Sequence, residues 1–157
     1  MLYCESIKIF HQKLLGDTPI LGIDYGSKKI GISISDKNRV FAMPHSVVKS
    51  WNFNEIYRVV DDLIKKRNIS GLVIGYPIEP SGDIGQSCKN VEKFMSRLCE
   101  LGLETPYYYQ DERLSTKAAI KFLDSEFASN KTKKQEDDSL AASYILQTTL
   151  DLINNSL

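Results

Sequence analysis

The chain has 157 residues, 42% of them hydrophobic and 25% charged, with 20 basic and 20 acidic side chains that cancel at neutral pH. That length suits one domain with a full apolar core, and the composition is that of a soluble globular protein. No apolar run is long enough to cross a bilayer, and zero net charge leaves nucleic-acid affinity to local patches.

Residues 1–18 read as an N-terminal extension, a polar-apolar helix or a loose arm, ahead of a single domain over 19–157. Glu5 and Lys8 interrupt any apolar stretch there, which argues against a signal peptide. Strands are expected at about 20–25, 29–35 and 39–44, with Asp36-Lys37-Asn38 as a turn. A helix follows over roughly 52–67, where Phe53, Ile56, Tyr57, Val60, Leu63 and Ile64 recur at helical spacing. Its Lys65-Lys66-Arg67 end suits the helix dipole. Gly71 to Gly75 is an all-apolar strand of the kind buried on both faces. A loop over 77–85 leads to a helix at about 86–101 that turns Val91, Phe94, Met95 and Leu98 inward and is capped by Gly102.

A strand at about 105–110 runs into Asp111-Glu112-Arg113. Ser115 is placed to cap a third helix with Ala118, Ala119, Phe122 and Leu123 on its inner face. Residues 128–136 lack an apolar anchor and read as mobile. The last helix is expected to start near Asp137-Asp138-Ser139, with Ala141, Tyr144, Ile145 and Leu152 buried. Short early turns imply antiparallel strands, and later helical crossovers imply parallel ones. The expected fold is α/β: a mixed five-stranded sheet flanked by helices, which binds ligands beyond the carboxyl ends of its parallel strands.

Cys4, Cys88 and Cys99 are odd in number and lack C-x-x-C spacing, which points to free thiols in a reducing cytoplasm rather than a zinc site. His11 and His45 are isolated and read as surface or packing residues. Three acidic clusters carry more. Asp24 ends the first strand in the turn Asp24-Tyr25-Gly26, Glu112 with Asp111 ends the last strand, and Asp138 with Asp137 and Glu136 opens the last helix. Each has a plainer account: a turn-forming Asp, a solvated Glu–Arg turn, and helix capping. Taken together, carboxylates from separate elements can meet at one sheet edge. Their mutual repulsion raises their pKa values until a hard divalent cation such as Mg²⁺ relieves it. Basic residues stand near in sequence: Lys28-Lys29 beside Asp24, and Lys131 with Lys133-Lys134 before Asp138.

These residues resemble a known family. Asp24-Tyr25-Gly26-Ser27-Lys28-Lys29-Ile30-Gly31 is similar to the first motif of the YqgF family, also called RuvX. Val73-Ile74-Gly75-Tyr76-Pro77 with Ser81-Gly82 resembles its Gly-x-Pro turn and glycine loop. Asp111-Glu112-Arg113-Leu114-Ser115-Thr116 matches a specific family hexapeptide, and Asp138-Ser139-Leu140-Ala141-Ala142 resembles the final motif. The motifs occur in family order over about residues 19–153.

The family is assigned to pre-16S rRNA processing and is also described as Holliday-junction-resolvase-like. The resemblance implies a ribonuclease H-like fold and a metal-dependent nuclease, for which Mg²⁺ or Mn²⁺ is the expected ion. Its acids would be Asp24, Glu112 and Asp138, serving as catalytic residues and metal ligands. It further implies a nucleic-acid-facing loop at Gly75, Pro77 and Gly82, while the basic residues near the acids, Lys28, Lys29, Arg113, Lys133 and Lys134, are expected on charge alone to contact phosphates. The substrate would be precursor ribosomal RNA or a branched DNA junction, with monomer and homodimer both open.

The chain departs from the family pattern in places. Ser33 stands where Ala is usual, Tyr76 where Leu is usual, and Asp137 where a small apolar residue is usual. Residues 1–18 exceed the usual start. Sugar kinases and actin-like ATPases share the opening Gly-Ile-Asp-x-Gly turn, but they need two such domains, and no P-loop is present. A non-catalytic RNA-binding assembly factor remains a third reading, which the acids oppose, because carboxylates repel phosphate.

Overall fold

Short apolar runs interrupted by glycines lay down a sheet whose central strands are buried on both faces by helices. The structure is a computed structural model that describes residues 2–49, 52–114 and 134–157, the side chains of 134–137 excepted. In chain order its elements are β1 (Tyr3–Cys4), α1 (Ile7–Lys13), β2 (Ile20–Tyr25), β3 (Lys29–Ser35), β4 (Ala42–Lys49), α2 (Phe53–Arg67), β5 (Gly71–Tyr76), α3 (Gln86–Leu101), β6 (Tyr107–Asp111), a 3-10 turn (Glu112–Leu114) and α4 (Lys134–Ser156). The strand order is β1-β6-β5-β2-β3-β4. β2, β3 and β4 pair antiparallel, whereas β2, β5, β6 and β1 are parallel.

The mixed sheet is as expected, with six strands where five were anticipated. The sixth is β1, which pairs Tyr3 with Tyr107 and Cys4 with Tyr108. A two-residue strand has no periodicity to read, so it looked like an arm. Helix α1 follows, capped by the Ser6 hydroxyl, and buries Phe10 against Tyr108. The third strand begins three residues later than expected. Arg39 takes a left-handed φ of 57°, and the Asp36 carboxylate accepts from the N–H groups of Asn38, Val40 and Phe41. Those local bonds make 36–41 a loop in place of a strand start.

One face of the sheet buries Leu21, Ile23, Leu72 and Ile74 under α2 and α3. Both helices match their expected faces, with Ile56, Val60 and Leu63 buried in α2 and Val91, Phe94, Met95 and Leu98 in α3. Each such side chain contributes roughly 1.5–3 kcal/mol of apolar burial. The other face buries Ile20 and Val73 under α1 and α4.

Helix α4 starts at Lys134, so Asp137-Asp138-Ser139 lies inside it instead of capping it. Its burial also differs from expectation. Ile145 is buried, but Ala141, Tyr144 and Leu152 are half-buried, and polar Ser143, Gln147, Thr148 and Thr149 are inside. Each of these polar side chains has a partner. Gln147 accepts from the Ala42 N–H at 2.8 Å and donates to the Val40 carbonyl at 2.9 Å, and Thr149 donates to Gln110 at 2.8 Å. Cys4 and Cys88 are buried free thiols and Cys99 is half-buried. No described helix is long and apolar enough to cross a membrane. The helix expected after Ser115 and residues 128–133 of the stretch expected to be mobile lie outside the described residues, whereas 134–136 of that stretch form the first turn of α4.

Candidate active site

Because β2, β5 and β6 are parallel, Asp24, Tyr76 and Asp111 reach the same sheet edge. Side-chain parity then selects one face. Gly22 of β2 faces Leu146 of α4, Gly75 of β5 faces Ile145 of α4, and Gln110 of β6 faces Thr149 of α4. Asp24 follows Gly22 by two residues and so emerges on that face, and Glu112, in the 3-10 turn after β6, reaches it over Gly75.

Glu112 and Asp24 are separated by β5. Gly75 removes the obstacle: a Cβ there would lie 2.3 Å from Glu112 Oε1. The Glu112 carboxylate therefore rests on bare β5 backbone. Gly31 does the same for α4, since a Cβ on it would lie 2.0 Å from the Asp138 carbonyl oxygen. One and two turns on, α4 crosses Gly22 less tightly, with the Ala142 carbonyl oxygen 3.1 Å and Leu146 Cβ 2.8 Å from where a Cβ would lie. The Ser33 hydroxyl donates to the Ala142 carbonyl at 2.9 Å, so the departure from Ala ties β3 to α4.

The three acids line two adjoining pockets that share Gly26 and Ser27. Asp24 and Glu112 line one of about 370 Å³, together with Pro77, Ser87 and Asn90. Asp138 lines the other with Lys28 and Lys29. Burial, and then the Asp138 charge, push the Asp24 carboxyl up to about 6. Burial, then the charges of Asp24 and Asp111, push Glu112 up to about 7. Lys29 Nζ lies 3.8 Å from Asp138 Oδ2. Asp24 is thus the electrostatic neighbour of both other acids. Among the described residues, no group of three His, Cys, Asp or Glu side chains converges tightly enough to hold one ion by itself.

The donor chemistry nevertheless suits a hard cation. Two carboxylates in a water-accessible pocket, each disfavoured in its charged form, match the preference of Mg²⁺ for one or two carboxylates plus several waters.

The remaining expected residues have distinct settings. Pro77 lines the Asp24–Glu112 pocket. Gly82 adopts a φ of +94° at the tip of the 77–85 loop. Arg113 is paired with Asp111, at 2.9 Å, so the expected Glu–Arg turn is an Asp–Arg pair. Tyr76 stacks on Tyr109 at 4.7 Å and donates to Glu92 at 2.6 Å, which makes it a packing residue. Lys133 and the Lys134 side chain lie outside the described residues. Ser87 and Asn90 escaped sequence reading because helix α3 carries no acid or base at either position.

A family model described as "RuvX: Holliday junction resolvase" matches residues 18–152. The chain belongs to the RuvX family. A relative from Rickettsia rickettsii (strain Sheila Smith), named "Putative pre-16S rRNA nuclease", is 38% identical over 151 residues, covering 96% of this chain and 97% of its own. One of the same name from Rickettsia canadensis (strain McKiel) is 41% identical over 149 residues, covering 95% and 96%. With 96% of this RuvX-family chain aligned, most of residues 1–18 falls inside the matched region.

Solved structures share the fold at low identity. RuvC of T. thermophilus in complex with a Holliday junction substrate gives a TM-score of 0.59 at 12% identity, covering 88% of this chain and 97% of that one. The Fowlpox virus resolvase bound to Holliday junction DNA gives 0.50 at 16%, covering 87% and 99%. The RuvX-family chain therefore has the ribonuclease H-like architecture of the RuvC-type resolvases.

Proposed function

We propose that this chain is a cytoplasmic, metal-dependent nuclease that hydrolyses phosphodiester bonds in precursor 16S ribosomal RNA. The observation that carries the reading is Glu112 laid across Gly75 toward Asp24, two neighbouring carboxylates driven up in pKa at the edge where such a sheet binds ligands. Ionised, both acids cost folding energy there, which a bound cation would offset and a purely structural role would not. The names of the relatives support the RNA substrate.

Asp24 and Glu112 would hold the Mg²⁺ or Mn²⁺, with Asp138 completing the site from α4. A bound ion of this type lowers the pKa of its water and neutralises charge on the phosphate. The chain itself orients. The Gly26–Lys29 turn, closed by the Gly26 N–H on the Lys29 carbonyl at 2.9 Å, brings Lys28 and Lys29 beside Asp138. In this reading Lys28, Lys29, Arg113, Lys133 and Lys134 would contact the phosphate backbone, while Gly82 and Pro77 would let it approach closely. Contacts of this kind position the strand without reading its sequence.

The family description and the RuvC-type fold favour a second reading, cleavage of a Holliday junction. The two separate in one assay. Equal concentrations of a 16S precursor transcript and a four-way DNA junction, each with Mg²⁺, should give processed RNA and an intact junction. Cleavage of the junction alone selects the second reading, and Mg²⁺-independent binding without cleavage of either selects a non-catalytic assembly factor.

A further inference from the structure

The Arg113 guanidinium is half committed within its own turn. Its Nε donates to both Asp111 carboxylate oxygens at 3.2 Å, and its Nη2 donates to Asp111 Oδ2 at 2.9 Å. Asp111 Oδ1 also accepts the Arg113 backbone N–H at 2.9 Å. One carboxylate thus fixes both the backbone and the side chain two residues on. The edge it takes is Nε and Nη2, which leaves Nη1 outside the pair.

That nitrogen is aimed at the 77–85 loop. Among the described residues beyond its chain neighbours, it is the heavy atom nearest to where a Gly82 side chain would begin, at 3.7 Å. Gly82 sits in a turn held by its N–H on the Glu79 carbonyl at 2.8 Å and by the Glu79 N–H on Asp83 at 3.0 Å. Among the described residues the turn presents bare Gly82 backbone beside the Arg113 guanidinium. An exposed ion pair adds little to stability, and the Arg113 side chain is 42% exposed. What the pair does is order a long, flexible side chain before any ligand arrives.

We propose that Asp111 is a positioning residue. It holds the Arg113 guanidinium beside the Gly82 turn, so that Nη1 and the bare loop form a phosphate subsite next to Glu112. The ligand is a backbone phosphate of the nucleic-acid strand, one step removed from the scissile bond. The subsite takes its ligand class from the nuclease reading, but its test is equilibrium binding, which needs no cleavage.

The effect of Asp111→Asn has a sign that separates the two roles open to this residue. Loss of an anion should tighten phosphate binding by Coulomb's law, whereas loss of the clamp should weaken it. Asn still accepts the Arg113 N–H, so the turn survives, and circular dichroism melts verify that. In an Asp24→Asn background, which prevents turnover, binding of a short fluorescein-labelled single-stranded RNA is followed by anisotropy over a salt series. Asp111→Asn should weaken binding by on the order of 2- to 10-fold, the cost of ordering one long side chain. Its salt slope should stay constant, while Arg113→Ala lowers that slope by about one.

In the Arg113→Ala background Asp111→Asn should have no further weakening effect. Tighter binding by Asp111→Asn, an equal loss without Arg113, or no RNA binding by the parent overturns the subsite. Cleavage by the chain with Asp24 intact, measured in parallel, bears on the nuclease reading alone.

Discussion

Replacing Asp24 with Asn measures how strongly the fold disfavours its own charged site. Burial first, and Asp138 second, push this carboxyl from an ordinary 3.8 up to about 6. The unfolded chain therefore releases its proton earlier than the folded one. Between about pH 4 and pH 6 the folded state binds more protons, so stability falls as pH rises through that window and the loss is complete above it. The separation of the two values corresponds to at most ~3 kcal/mol. Water in the open pocket screens part of that, leaving on the order of 1–2 kcal/mol.

Asn cannot ionise. The variant should match the parent near pH 4 and exceed it at pH 8, which for a chain of this size is a rise of roughly 2–8 °C in melting midpoint. Thermal melts in EDTA from pH 4 to pH 8 supply the measurement. A variant no more stable than the parent at pH 8, or with its largest gain at pH 4, would refute the reasoning. Added Mg²⁺ should raise the midpoint of the parent at pH 8 and do much less for the variant, since binding to the folded state alone stabilises it.

Gly75→Ala puts a Cβ 2.3 Å from Glu112 Oε1 and 2.6 Å from Ile145 Cδ1. It should cost ~1–3 kcal/mol in urea unfolding and on the order of 100-fold in turnover. Full activity in this variant would show that Glu112 is not needed where it lies. Gly31→Ala meets the Asp138 backbone, which has no rotamer to escape by, and should lower the melting midpoint further than Gly75→Ala does. A smaller loss would mean that α4 slides easily along β3. Lys133→Ala/Lys134→Ala should reduce the salt slope of RNA binding by about one for each phosphate these lysines neutralise. An unchanged slope would remove both lysines from the interface.

The parts of this fold that were legible in the sequence are those where a single period holds. Helices α2 and α3 repeat apolar residues on one face, and β5 is unbroken apolar sequence, so their spans and buried faces were readable. Strand β1 and helix α4 were less so, for opposite reasons. β1 is too short to show a period. α4 buries Ser143, Gln147, Thr148 and Thr149 through hydrogen bonds that leave no trace in a hydropathy pattern.

At the site, the acids stood out by their position at element ends, but the reason they can be neighbours did not. It lies in Gly75 and Gly31, whose missing side chains matter only once β5 is known to separate β2 from β6 and α4 to cross β3. Arg113 was legible as a cation and not as the partner of Asp111, because a bidentate pair two residues apart depends on the 3-10 turn between them.

The central claim is that Asp24 and Glu112 hold a divalent ion for phosphodiester hydrolysis. Cleavage of a 16S precursor transcript by the parent, Asp24→Asn and Glu112→Gln, each with Mg²⁺ and with EDTA, tests it most directly. The account predicts cleavage by the parent in Mg²⁺, none in EDTA, and a loss of several orders of magnitude in either variant with RNA affinity kept or improved. Undiminished cleavage in EDTA, or by either variant, would contradict it.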